Sequence, residues 1–65
     1  MCVFTKRFRK ELQKSEWTIK ELSQKSGISP YLLKGYLAGK LPRARQLIAL
    51  CRTFKVTANY LLGLD

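Results

Sequence analysis

The 65-residue chain predicts a compact all-α fold of five short helices. Three observations carry that reading. Apolar residues recur at three- and four-residue steps along much of the chain, the spacing that lines one side of a helix. Residues that start and stop helices alternate in the right order, most completely in Thr18 to Gly39, TIKELSQKSGISPYLLKGYLAG. Two prolines and four glycines are few for a chain that is 46% hydrophobic, which describes an ordered globule and not a disordered basic tail.

The first helix is expected over about Thr5 to Lys14, where Phe4, Phe8 and Leu12 recur at four-residue steps with basic residues between them. Phe4 and Phe8 are assigned to the core. The KSEW loop follows, and Trp17 is the apolar residue that packs just before the next helix cap. Thr18 and Glu21 form a capping box, so the second helix begins at Ile19, and Gly27 stops it because glycine takes the left-handed conformation without steric cost. Ser29 is a favoured N-cap and Pro30 suits the first helical position, so a third helix starts there and ends at Gly39. Leu22, Ile28, Leu33, Tyr36 and Leu37 turn inward, with Ile28 filling the space between the two helices and the small Ser23 letting them approach. The fourth helix is expected from about Arg43 to Phe54, with an inward stripe of Leu47, Leu50, Cys51 and Phe54. The fifth begins after Thr57 and ends near Gly63.

Length bounds the rest. A chain this short makes one domain, residues 1–65, and buries only about 60% of its unfolded surface. No apolar run approaches the roughly 18 residues of a membrane span, and no secretory leader is visible, so the expected location is the cytoplasm with no membrane partner. Cys2 and Cys51 without any histidine cannot assemble a four-ligand zinc site, and neither a metal nor a cofactor is expected. Cys51 reads as a small buried thiol and Cys2 as a mobile terminal residue. Four acids spread over the surface, no phosphate-cradling glycine loop and no nucleophile–base arrangement leave no candidate catalytic residue and no small-molecule substrate. An enzyme is not expected.

Charge points elsewhere. The formal net charge is +9, and between Leu22 and Leu64 there is no acid at all, while Lys25, Lys34, Lys40, Arg43, Arg45, Arg52 and Lys55 are basic. So one-sided a field favours a polyanion over mere solubility, which balanced charge also achieves.

The stretch from Thr18 to Gly39 is the sequence form of a helix-turn-helix, motif residues about 18–39. With its glycine turn, second glycine, Pro42 and the closing RARQLIALCRTFKVTANYLLGLD, the chain resembles the lambda Cro/repressor-like (XRE-like) family over roughly residues 4 to 65. The resemblance implies a lambda repressor-like DNA-binding domain whose third helix, about 30–38, enters the major groove of an operator. Mapped onto this chain, the base-edge positions are Pro30, Tyr31, Leu32, Lys34 and Gly35. Relatives often carry Gln, Asn, Ser or Arg there, so this reading surface is poor in paired donors and acceptors, with Lys34 suited to guanine and Pro30 or Leu32 to thymine methyls. Phosphate positions are Thr18, Ile19 and Lys20 at the second helix start, Ser29, and the loop with Lys40, Arg43 and Arg45. Ile19 replaces a glutamine common in relatives, leaving backbone amides to make that contact.

Two further departures concern the fold. Lys55 stands where relatives usually carry a helix-ending glycine, at a cost of about 1 kcal/mol. Leu12 and Leu37 align with a buried Arg–Glu pair, and an apolar pair avoids desolvating two charges. A carboxylate at position 37 is therefore expected to lack a partner.

The expected function is a sequence-specific DNA-binding transcriptional regulator, a small repressor binding double-stranded operator DNA. A homodimer through the C-terminal helix is expected, since Tyr60, Leu61, Leu62 and Leu64 offer more apolar surface than one short helix uses. Two alternatives stand beside it: an inhibitor or adaptor presenting Tyr31, Leu32 and Tyr36 to a partner protein, and a charge-driven, non-specific nucleic-acid binder.

Overall fold

The structure, a computed structural model, describes residues 2–64. Five helices follow one another: α1 Val3–Ser15, α2 Ile19–Ser26, α3 Pro30–Leu37, α4 Ala44–Phe54 and α5 Ala58–Leu62. Helix α1 packs on α3 and α5, α2 on α3 and α4, and α4 on α5. No strand occurs among the described residues.

The core is aromatic at its centre. Phe4 and Phe8, one turn apart on α1, stack with centroids 5.6 Å apart, and the Tyr36 ring of α3 stands nearly perpendicular to both at 6.1 and 6.0 Å. Such edge-to-face pairs add about 0.5–1.5 kcal/mol beyond burial alone. Phe54 of α4 meets Phe8 at 6.1 Å and stacks on Trp17 at 5.8 Å, so the loop before α2 is tied to α4. Leu22, Ile28, Leu33, Leu50 and Leu61 complete the buried set.

The expected caps are present. Thr18 Oγ1 accepts the Glu21 N–H at 3.1 Å while Glu21 Oε1 accepts the Thr18 N–H at 3.0 Å. Gly27 takes φ +77°. Ser23 does more than stay small, because its hydroxyl donates to the Ile28 carbonyl at 2.6 Å and ties the turn to α2. Thr57 caps α5 by accepting the Tyr60 N–H at 3.0 Å. Lys55 does adopt the left-handed conformation, φ 59°, and Glu16 ends α1 in the same way at φ 61°.

Several expectations are corrected. Helix α1 begins at Val3, two residues before Thr5, because Phe4 and Thr5 are already buried and need helical backbone to reach the core. Cys2 is its extended N-cap, with Sγ 3.2 Å from Thr5 Oγ1, and not a loose end. Glu11 is not a surface acid. It is 7% exposed, and the hydroxyl of Tyr60 donates to its Oε2 at 2.9 Å, with Lys14 Nζ 3.8 Å away. Arg7 lies over the Tyr60 ring at 4.7 Å and donates to the Tyr60 carbonyl, so a polar clasp holds α5 on α1. Leu12 and Leu37 pack against the core but are half-buried, and Arg9 Nη2 donates to the Leu37 carbonyl at 2.7 Å. Cys51 is likewise half-buried.

Two substitutions test these local accounts. Tyr60→Phe removes a hydrogen bond to a buried carboxylate and should cost about 1–2 kcal/mol, a fall in Tm of about 4–8 °C per kcal/mol for a domain this small. Lys55→Gly relieves the left-handed backbone and should raise stability in urea by up to about 1 kcal/mol.

Candidate functional site

Helix α3 has two faces because of where its large side chains fall. Leu33 and Tyr36 are buried, which turns Tyr31, Leu32 and Lys34 outward, and Tyr31 is 77% exposed. Burial pushes the Tyr36 phenol above its ordinary pKa, keeping it neutral. Pro30 and Ser29 lie exposed at the helix start, where Ser29 Oγ accepts the Leu32 N–H at 3.3 Å.

The end of α3 shapes what lies beside it. The N–H of Gly39 donates to the Tyr36 carbonyl at 3.2 Å and that of Lys40 to the Gly35 carbonyl at 3.0 Å, with Gly39 at φ +113°. This paired closure turns the chain back on the helix it leaves. It lays the stem of Lys40 across Gly35, where a Cβ on the glycine would stand 3.3 Å from Lys40 Cδ. The loop then runs through Leu41 and Pro42 to Arg43, the extended N-cap of α4.

Between α3 and this loop lies an open hollow of about 690 Å³. Tyr31, Leu32, Lys34, Gly35, Lys40 and Arg43 all line it, so four base-edge candidates and two phosphate candidates share one surface. A neighbouring hollow of about 240 Å³ is lined by Ser29, Leu32 and Arg45 among others. No acid lines either one. Leu41 and Gln46, which sequence reasoning passed over, also belong to the larger wall. Leu41 is 64% exposed, and its only signal in the sequence is an apolar side chain set among basic loop residues.

Pro30, Thr18, Ile19 and Lys20 line neither hollow. The last three form the start of α2, where the first two amides, Ile19 and Lys20, find no acceptor within the helix. Here Glu21 already supplies an anion. The Thr18 backbone N–H and then its hydroxyl hold the Glu21 carboxyl below its usual pKa, with Lys25 adding to the effect. Ile19 is half-buried against the core and Lys20 is exposed.

The surface offered to other partners is narrower than the sequence implies. Tyr36 is 4% exposed and is therefore a core residue, so a protein-docking patch there reduces to Tyr31 and Leu32. At the C-terminal end Leu61 is buried and Tyr60 is held in the clasp on α1, leaving Leu62 and Leu64 exposed on either side of Gly63. Val3 packs so closely on Gly63 that an added Cβ would meet its Cγ1 at 2.6 Å, and Val3 is itself 44% exposed.

Other chemistry has little to work with. Cys2 and Cys51 are free thiols; the Thr5 hydroxyl holds Cys2 below the usual thiol range, whereas burial pushes Cys51 up. Among the described residues no three His, Cys, Asp or Glu side chains cluster as metal ligands, and no helix is long and apolar enough to cross a membrane.

A helix-turn-helix family model matches residues 8–61, which include all of α2, α3 and α4 and most of α1 and α5. No curated protein and no solved structure matches the chain. A match over most of the sequence, on an all-helical chain whose capped α2 and α3 are joined at Gly27, makes this chain a member of the Cro/C1-type (XRE) helix-turn-helix family of DNA-binding regulators.

Proposed function

We propose that the chain is a sequence-specific transcriptional regulator, a small repressor that lays α3 in the major groove of an operator and works as one domain over residues 1–65. The observation that carries this reading is the shared surface beside α3. Tyr31 and Lys34 project from the exposed face of the helix, while Lys40 and Arg43 stand along the same hollow with no acid among the lining residues. A duplex needs both kinds of contact at once, cations on its phosphates and side chains on its base edges.

Each candidate then takes a role. Lys34 donates to guanine, Tyr31 to a base or phosphate, and Pro30 and Leu32 meet thymine methyls, with Gly35 letting the backbone come close. Lys40, Arg43 and Arg45 hold phosphates of one strand. The amides at Ile19 and Lys20, with the Lys20 ammonium, hold another phosphate alongside Thr18 and Ser29. Because Glu21 stands at that helix start, its contribution is smaller than a bare helix terminus gives. Two copies meet through the exposed Val3, Leu62 and Leu64, which supports binding to paired half-sites about 34 Å apart.

Selection from random duplex DNA tests all of this together. A recovered consensus with two-fold symmetry is the expected result, and equal recovery of all sequences would favour charge-driven binding. On the selected site, Lys34→Ala should change the preferred base at one position. Arg43→Ala should weaken every sequence alike and flatten the dependence of log K on log salt by about one unit. Interchanged effects would mean that α3 faces the groove differently.

A further inference from the structure

The hollow beside α3 is larger and more apolar than contact with a phosphate strand requires. Its volume of about 690 Å³ lies within the roughly 300–1,000 Å³ of sites that enclose small organic molecules. Leu32, Leu41 and the Tyr31 ring give it apolar sides, and all of its charge comes from Lys34, Lys40 and Arg43. Cations around an apolar recess, with no acid to neutralise them, complement a ligand that is itself apolar with an anionic head.

Two observations within the wall point the same way. Gly35 sits inside α3 with no positive φ, so its backbone does not call for glycine, and glycine there weakens the helix. A Cβ at that position would meet only the flexible Lys40 stem. What the glycine does is let the Lys40 stem lie close against α3, which keeps that cation in the wall. Gln46, another residue of the wall, has a buried amide oxygen with no hydrogen-bond partner.

We propose that this hollow binds a small organic anion, an apolar ring or chain carrying a carboxylate or sulfonate, and that the bound ligand keeps DNA off α3. The apolar body lies against Leu32, Leu41 and the Tyr31 ring. The head takes the cations that a phosphate strand would otherwise use, so ligand and duplex exclude each other. Exclusion rests on the DNA-binding reading given above, whereas ligand binding does not.

The probe is anilinonaphthalene sulfonate, titrated into the full chain without DNA and followed by dye emission and by backbone amide shifts. Saturable one-to-one binding is expected, with the largest shifts at Tyr31, Leu32, Gly35 and Leu41. Neutral anilinonaphthalene, lacking the charge, should bind about tenfold more weakly or worse. Gly35→Leu pushes the Lys40 stem off α3 and crowds the hollow, and should lower dye affinity at least about tenfold. Leu41→Asp, at an exposed loop position outside the core, should do the same and keeps the test sound if the first variant fails to fold. Shifts centred on Val3 and Leu62, or unchanged dye affinity in folded Leu41→Asp, would overturn the site.

A mixed-sequence duplex at low salt supplies the second arm. The duplex should displace the dye, and the dye should raise the apparent Kd for the duplex. Simultaneous binding without mutual effect would overturn the exclusion. A dye-filled hollow on a chain that binds no duplex would instead establish the site and refute the DNA reading.

Discussion

The perpendicular packing of Tyr36 on the stacked Phe4 and Phe8 fixes which way α3 faces, and the rest of the molecule's surface follows from it. A helix turns about 100° per residue, so an inward ring at one position decides the direction of every neighbour. With Tyr36 and Leu33 inside, Tyr31 and Lys34 have nowhere to go but out. The contact joins α1 to α3, so a helix distant in sequence holds in place the face that local spacing gives α3. The phenol also shows how a small domain economises, since one side chain both fills the core and stands in the wall of the larger hollow.

A second constraint is polar. With a core this small, the docking of the five-residue α5 draws on the Glu11 carboxylate, the Tyr60 hydroxyl and the Arg7 guanidinium as well as on Leu61. A buried acid so held is worth keeping only while its partners remain, which concentrates the cost of change on a few positions. The same clasp takes Glu11 out of the surface field and leaves the outside of the protein more uniformly basic than the sequence alone implies.

Much of this was legible in the sequence, and the reason is locality. The capping box, the Ser29–Pro30 start, the left-handed Gly27 and Lys55, and the inward residues of α2 and α3 are decided within a turn or two of chain, where spacing and side-chain chemistry suffice. What was missed joins positions far apart. Glu11 with Tyr60, Arg9 with the Leu37 carbonyl and the early start of α1 at Val3 depend on how helices dock, which no short window records. The candidate site divides along the same line. Its residues were named from a resemblance, but that Lys40 folds over Gly35, and that Leu41 and Gln46 help enclose a hollow there, follows from the return of the chain after Gly39. Sequence placed Tyr36 correctly among the inward residues, yet could not decide between core and docking patch until its neighbours were known.

The surroundings of Trp17 give the protein a built-in optical gauge. It is the chain's only tryptophan, stacked on Phe54 and with Lys25 Nζ 4.9 Å from its ring centroid. Its indole therefore sits at the seam between the loop leading into α2 and the last turn of α4, away from the residues that line the hollow beside α3. Light emitted from that one ring reports, in unlabelled protein, whether the seam is closed.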